Sequence, residues 1–314
     1  MIQPRKIFQA LAENVSRVIV GKDEAIEYAL IALLCRGHVL IEDVPGVGKT
    51  TLASALARSL DCTFRRIQFT PDLMPSDVTG YTLVNPRTGE EEFREGAVMS
   101  QVVLADEINR TSPKTQSALL EAMEEHQVTV DGRTHPLPTP FMVLATQNSN
   151  AFVGTYPLPE AQMDRFFLRI SIGYPTVEQE MDVLERYTGT VKPMEQLQPV
   201  CRAEDVLGMQ DAVNTVYCSP EVRAYVASLA AATRGMRELQ LGLSTRAAIA
   251  LLRGGQACSL LDGREYVVPE DIQHMALPVC CHRLVVNPEA RMKGATAEAV
   301  MQSVMNKVAV PVRM

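Results

Sequence analysis

A chain of 314 residues, 46% hydrophobic and 21% charged, is too long for one small core and reads as an ordinary globular protein of two domains. Its net charge of −7 argues against a general nucleic-acid binder, which needs a basic face. There is no apolar run near the roughly 18 residues of a membrane span and no signal-peptide core at the N-terminus, so a cytoplasmic protein is expected. Seven cysteines without C-x-x-C spacing read as reduced thiols, and five scattered histidines give no zinc site.

Ile7, Leu11, Val15 and Val18 recur at helical spacing and predict an opening amphipathic helix. Val20-Gly21-Lys22 breaks it, and Asp23 is placed to cap a second helix to about Cys35. A strand over 38–41 then runs into Glu42-Asp43-Val44-Pro45-Gly46-Val47-Gly48-Lys49-Thr50. This is the recipe for a nucleotide phosphate cradle. Glycines turn backbone N–H groups toward an anion, Lys49 offers a point charge, and the Thr50 hydroxyl is a Mg²⁺ ligand. A helix from Thr51 to about Leu60 adds its positive N-terminal end. The general pattern has Gly where this chain has Asp43, a residue that tolerates left-handed backbone angles.

Residues 63–69 read as another strand, and 70–80, rich in Pro, Asp and Gly, as a loop. Two hairpins follow: 81–84 with 92–94 around Asn85-Pro86-Arg87-Thr88-Gly89, and 127–130 with 134–137 around Asp131-Gly132. Between them, Val102-Val103-Leu104-Ala105-Asp106-Glu107 is a continuously apolar run ending in two acids, as in a strand buried on both faces of a parallel sheet. Ligands gather at the C-terminal ends of such strands. There Asp106 would hold Mg²⁺ and Glu107 would polarise a water against the γ-phosphate. Ser112-Pro113 starts a helix, and 141–146 and 166–172 are further strands. After Tyr174-Pro175 the strand signal stops. Helices are predicted over 178–187, 203–213, 220–233, 245–261 and 269–281. The expected plan is an α/β nucleotide-binding core over 1–173 and an all-helical lid over 174–314.

The order of these pieces resembles the MoxR family of AAA+ ATPases over nearly the whole chain. The most distinctive segments are Phe69-Thr70-Pro71-Asp72-Leu73-Met74-Pro75-Ser76-Asp77, Leu104-Ala105-Asp106-Glu107-Ile108-Asn109-Arg110 and Gly154-Thr155-Tyr156-Pro157-Leu158-Pro159-Glu160-Ala161-Gln162. The resemblance implies a P-loop AAA+ fold with two hairpin insertions facing the pore of a ring or a client. It also implies that Asn148 is the sensor-1 amide, that Arg165 is an arginine finger reaching a neighbouring subunit, and that Arg246 is sensor 2. Arg110 is a weaker finger candidate. The adenine of ATP would lie near Val20 and Gly21. One departure is Asn148-Ser149-Asn150-Ala151-Phe152-Val153, where proline and acidic residues are expected.

The expected function is therefore ATP hydrolysis by a homo-oligomeric ring, six-membered in the family, that remodels or matures partner proteins. Metal or cofactor insertion is one form of such work, and a von Willebrand factor A-type domain protein is a candidate client. The rivals are a nucleotide-switched scaffold with little turnover, a magnesium-chelatase-like motor subunit, a small-molecule kinase and a DNA-translocating motor. The acid pair and long helical lid oppose the kinase, and the acidic balance opposes the DNA motor.

Overall fold

The computed structural model describes residues 3–148, 155–188 and 191–311. Its centre is a five-stranded parallel sheet in the order β2-β5-β8-β1-β9, formed by β1 (Val39–Glu42), β2 (Phe64–Gln68), β5 (Val102–Asp106), β8 (Met142–Gln147) and β9 (Leu168–Ile170). Every residue of β5 is buried, as its unbroken apolar run requires of a strand covered on both faces. Alternation along the strands sends side chains to two cores. Leu40, Val103, Ala105, Val143 and Ala145 join a cluster with helix α5 (Pro113–Glu125), while Val39, Ile41, Val102, Leu104 and Leu144 face the other way. That second cluster includes α1 (Pro4–Ser16), α2 (Asp23–Leu34) and α3 (Lys49–Ser59), and continues into the C-terminal helices.

The insertions are hairpins: β3 (Gly80–Val84) with β4 (Glu91–Glu95), preceded by short α4 (Pro75–Thr79), and β6 (Gln127–Val130) with β7 (Arg133–Pro136). Asp131 and Gly132 both have positive φ, +49° and +77°, as a tight hairpin turn demands. Ser112 caps α5, accepting from the Thr115 N–H at 3.4 Å, with Pro113 as first helical residue.

After β9 the chain is mainly helical: α6 (Glu160–Met163) precedes that strand, and α7 (Val177–Arg186), α8 (Pro193–Gln196), α9 (Ala203–Thr215), α10 (Pro220–Arg234), α11 (Thr245–Leu261), α12 (Pro269–Cys280), α13 (Pro288–Met292) and α14 (Ala297–Lys307) come later. Four expectations need correction. Residues 75–79 of the expected 70–80 loop form the short helix α4, with Pro75 at its first position. Asp23 is the first residue of α2 rather than its cap; Lys22 holds the cap position without a side-chain bond. The helix after the phosphate loop begins at Lys49, two residues before Thr51. Strand structure also returns in β10 (Leu239–Leu241), paired antiparallel with β11 (Val285–Val286). Strands of three and two residues are too short to leave a period-2 signature in sequence. Among the described residues, no helix is long and apolar enough to cross a membrane.

Candidate functional site

Parallel pairing aligns the C-terminal ends of the central strands. Ile41 faces Thr146, Ala105 faces Ala145 and Gln68 faces Asp106. The loop after β1, the acids ending β5 and the residue after β8 therefore converge on one cavity of about 390 Å³. Pro45, Gly46, Gly48, Lys49, Thr50 and Thr51 line one side of it, and Arg66, Gln68, Asp106, Glu107 and Asn148 line the other. A larger cavity of about 950 Å³ lies beside β9, α12 and α14, and the phosphate loop does not line it.

The loop turns at Gly46 and Gly48, with φ of +87° and +95°, where any side chain would be strained. Gly48 caps α3, so the helix's N-terminal N–H groups open onto the cavity. Lys49 is buried, and its Nζ donates to the Asp43 carbonyl at 2.9 Å and to Asn148 Oδ1 at 3.3 Å. Burial lowers its pKa, and the charges of Asp43, Asp106 and Glu107 oppose that shift.

Asp43 does not take the left-handed conformation expected of it; its φ is not positive. Its carboxylate instead turns from the cavity to the end of β9. Oδ2 accepts from the N–H groups of Ile172 (2.6 Å) and Gly173 (2.7 Å) and from the Ser171 hydroxyl (3.1 Å), and Oδ1 accepts from Val44 N–H at 2.8 Å. Burial would raise its pKa, but these donors outweigh it and hold the carboxyl below its usual range.

Asp106 is buried. Its Oδ1 accepts from the Thr146 hydroxyl at 2.6 Å, and its Oδ2 from the Arg66 guanidinium at 2.6 and 3.2 Å. Glu107 sits at φ +56°, a left-handed angle costing on the order of 1–2 kcal/mol for a residue with a side chain. Its N–H is fixed by Thr146 Oγ1 at 2.8 Å, while Gln68 (3.1 Å), Asn148 (3.2 Å) and Arg110 (2.8 Å) all donate to its carboxylate. Asn148 thus bridges Lys49 and Glu107. Thr50 and Asp106 supply hydroxyl and carboxylate oxygens, a hard donor set that fits Mg²⁺ alongside nucleotide phosphates.

Several expected residues lie off this cavity. Val44 and Val47 do not line it, and Val47 packs on the hydrophobic core. Val20 and Gly21 do not line it either; their neighbour Ile19 has its Cδ1 3.9 Å from where a Cβ on Gly48 would stand. Gly21 is covered by Gln179, whose Nε2 donates to its carbonyl at 3.2 Å. Arg165 and Arg246 are paired within the chain to one acid, Glu124; the Arg165 Nε contact is 3.0 Å. Phe152 lies outside the described residues. Sequence reading missed Arg66, Gln68 and Thr146. Their signal is polar residues near the C-terminal ends of strands β2 and β8, which the apolar-run argument passes over.

A parallel sheet with a glycine-turned loop after its first strand, acids at the end of the third and a helical C-terminal region defines a P-loop nucleotide-binding protein of the AAA type. Comparison agrees. The ATPase family associated with various cellular activities (AAA) matches residues 38–168, and the AAA lid domain matches residues 231–304. The chain is 50% identical to the uncharacterised protein YeaC of Bacillus subtilis, over 96% of this chain and 94% of that one. It is 41% identical to the chaperone MoxR1 of Mycobacterium tuberculosis, over 95% and 81%. The crystal structure of an ATPase candidate from Cytophaga hutchinsonii superposes with a TM-score of 0.92 at 39% identity, covering 98% of this chain and 96% of that one. The chain belongs to the MoxR family of AAA+ ATPases.

Proposed function

We propose that this chain binds ATP with Mg²⁺ at the 390 Å³ cavity, hydrolyses it within a ring of identical subunits, and uses the cycle to remodel or mature a client protein in the cytoplasm. The observation that carries this reading is the convergence of Lys49, Asp106, Glu107 and Asn148 on one cavity at the sheet's C-terminal edge. Lys49 and the α3 N-terminus hold the phosphates, with Pro45, Gly46, Gly48 and Thr51 shaping the cradle. Bound Mg²⁺, held by Thr50 and Asp106, would neutralise phosphate charge. Glu107 accepts a proton from the attacking water and Asn148 aligns that water against the γ-phosphate. Arg165 serves a neighbouring subunit's site as its finger, a reading supported by its absence from the cavity of its own chain, and Arg246 is the sensor-2 arginine. The adenine side is the Val20–Gly21 segment. The client class that suits this reading is a von Willebrand factor A-type domain protein, and metal or cofactor insertion is one outcome of the work.

A scaffold that binds ATP and scarcely turns over is the second reading. It is favoured by Arg66 on Asp106 and by the three donors on the Glu107 carboxylate, some of which must yield before water is activated. One pair of variants separates the readings. Lys49→Ala should lose ATP binding in calorimetry, since the ammonium contacts phosphate in the ground state. Glu107→Gln should retain binding while phosphate release falls about 10²–10⁴-fold. Wild-type protein that binds ATP but releases no phosphate when assembled would favour the scaffold.

A further inference from the structure

One ion pair engages the carboxylate that would hold Mg²⁺. Arg66 stands on β2, the edge strand of the sheet, opposite Leu104 and two residues before Gln68, which faces Asp106. Its guanidinium bonds Asp106 Oδ2 twice, from Nη2 at 2.6 Å and from Nε at 3.2 Å. The other Asp106 oxygen accepts from the Thr146 hydroxyl at 2.6 Å, so both carboxylate oxygens have donors. The donors differ in freedom. Thr146 is fully buried, and the Asp106 side chain is 12% exposed, whereas that of Arg66 is 48% exposed. Only the guanidinium can turn away without opening the core.

Charge points the same way. Among the described residues, the charged side chains lining the cavity are Lys49 and Arg66 against Asp106 and Glu107, which cancel. Arg110, bonded to the Glu107 carboxylate at 2.8 Å, adds positive charge beside it. The Asp43 carboxylate is turned away, its charge met by backbone N–H groups at the end of β9. A divalent cation at Asp106 would stand next to a guanidinium bonded to the same carboxylate. Out of bulk water the repulsion between them is strong. Nucleotide phosphates reverse the balance, because they bring several negative charges to the loop.

We propose that Arg66 is a resident counter-cation of Asp106 that Mg²⁺ displaces, so that the metal is admitted only together with nucleotide phosphates. This rests on the proposed nucleotide site. The same guanidinium joins the metal ligand to the proposed base. Its Nη2 donates to Gln68 Oε1 at 3.1 Å, and Gln68 Nε2 donates to Glu107 Oε2 at 3.1 Å. Displacing Arg66 therefore withdraws the donor that orients the Gln68 amide, and loosens one of the three donors on the Glu107 carboxylate. Metal entry and release of Glu107 are coupled through one side chain.

The test reads metal binding. Protein in excess over ADP is titrated with Mn²⁺, which takes the same oxygen ligands as Mg²⁺, and free Mn²⁺ is followed by electron paramagnetic resonance. Arg66→Ala should bind Mn²⁺ about tenfold more tightly than wild type, the scale of one charge-assisted hydrogen bond removed from competition. Arg66→Lys, which keeps the charge but loses the fork, should fall between them. In an Asp106→Asn background, Arg66→Ala should leave Mn²⁺ affinity where Asp106→Asn alone puts it, since no carboxylate remains to contest. Unchanged or weaker Mn²⁺ binding in Arg66→Ala, or the same gain in the Asp106→Asn background, would overturn the proposal and leave the nucleotide site intact. Calorimetry with ADP in EDTA supplies a further check: a loss of about tenfold or more in Arg66→Ala would make Arg66 a phosphate ligand and also refute it. Wild-type protein that binds no ADP would overturn both the site and this inference.

Discussion

The carboxylate of Asp43 gathers the N–H groups of Val44, Ile172 and Gly173, tying the phosphate loop to the end of β9, where the chain turns toward the helical region. Asp43→Ala would leave these donors without their acceptor, two of them bonded at 2.7 Å or less. The expected loss is about 2–4 kcal/mol of unfolding free energy by urea titration, with Asp43→Asn intermediate. A change below about 0.5 kcal/mol would mean that water satisfies these groups equally well. Because the folded pKa is depressed, this contribution is complete above the unfolded carboxyl pKa of about 4, and is lost as pH falls through the lower folded value. Thr146 has a comparable organising part. One buried hydroxyl donates to Asp106 and accepts from the Glu107 N–H, so both acids are oriented from the neighbouring strand.

The two hairpin insertions, separated by strand β5 and helix α5 in sequence, meet in space. Phe93 of β4 stacks on His135 of β7 with ring centres 3.8 Å apart and planes 12° from parallel, and Arg133 pairs with Glu91 at 2.9 Å. Stacked aromatic contacts contribute about 0.5–1.5 kcal/mol beyond area burial, whereas the exposed ion pair adds little. Phe93 is therefore one link between the hairpins, beside the approach of β3 and α4 to β6. Replacing it, Phe93→Ala, should raise amide exchange in β6 and β7 as well as in its own hairpin. Exchange confined to β3 and β4 would show that the hairpins move independently.

At the scale of the whole molecule, the proposed mechanism turns on where the arginines lie. Arg165 is paired with Glu124 and does not line its own phosphate cavity, so the proposed finger role calls for a neighbouring subunit. Arg165→Ala should abolish hydrolysis while leaving ATP binding in each subunit. Mixed with Glu107→Gln subunits, which keep Arg165, it should recover part of the activity, because some interfaces then pair an intact Glu107 with an intact Arg165. Fingers contribute on the order of 10³–10⁵ in rate, so a small share of restored interfaces is measurable. Activity no higher than the sum of the two variants, in confirmed mixed rings, would refute the trans role and turn attention to Arg110 or Arg246.

The sequence by itself determined the parallel sheet, the phosphate loop, the acid pair and the two hairpins. Each is written in a local pattern: apolar runs ending in acids, glycines before Lys49-Thr50, and Asp131-Gly132 between alternating strands. The extents of α11 and of β6 were legible for the same reason. What the tertiary structure alone decided are pairings between distant segments. Asp43 occupies a glycine position through its contacts with 171–173, 128 or more residues away, and not through its own backbone preference. Arg66 and Gln68 reach the acids only because strand register sets Gln68 opposite Asp106. Glu124 collects Arg165 from the connection between α6 and β9 and Arg246 from α11. Val177, Met181 and Leu184 of α7 recur at helical spacing, and only the fold leaves them facing solvent. Periodicity records that a face is apolar; it does not record what covers it.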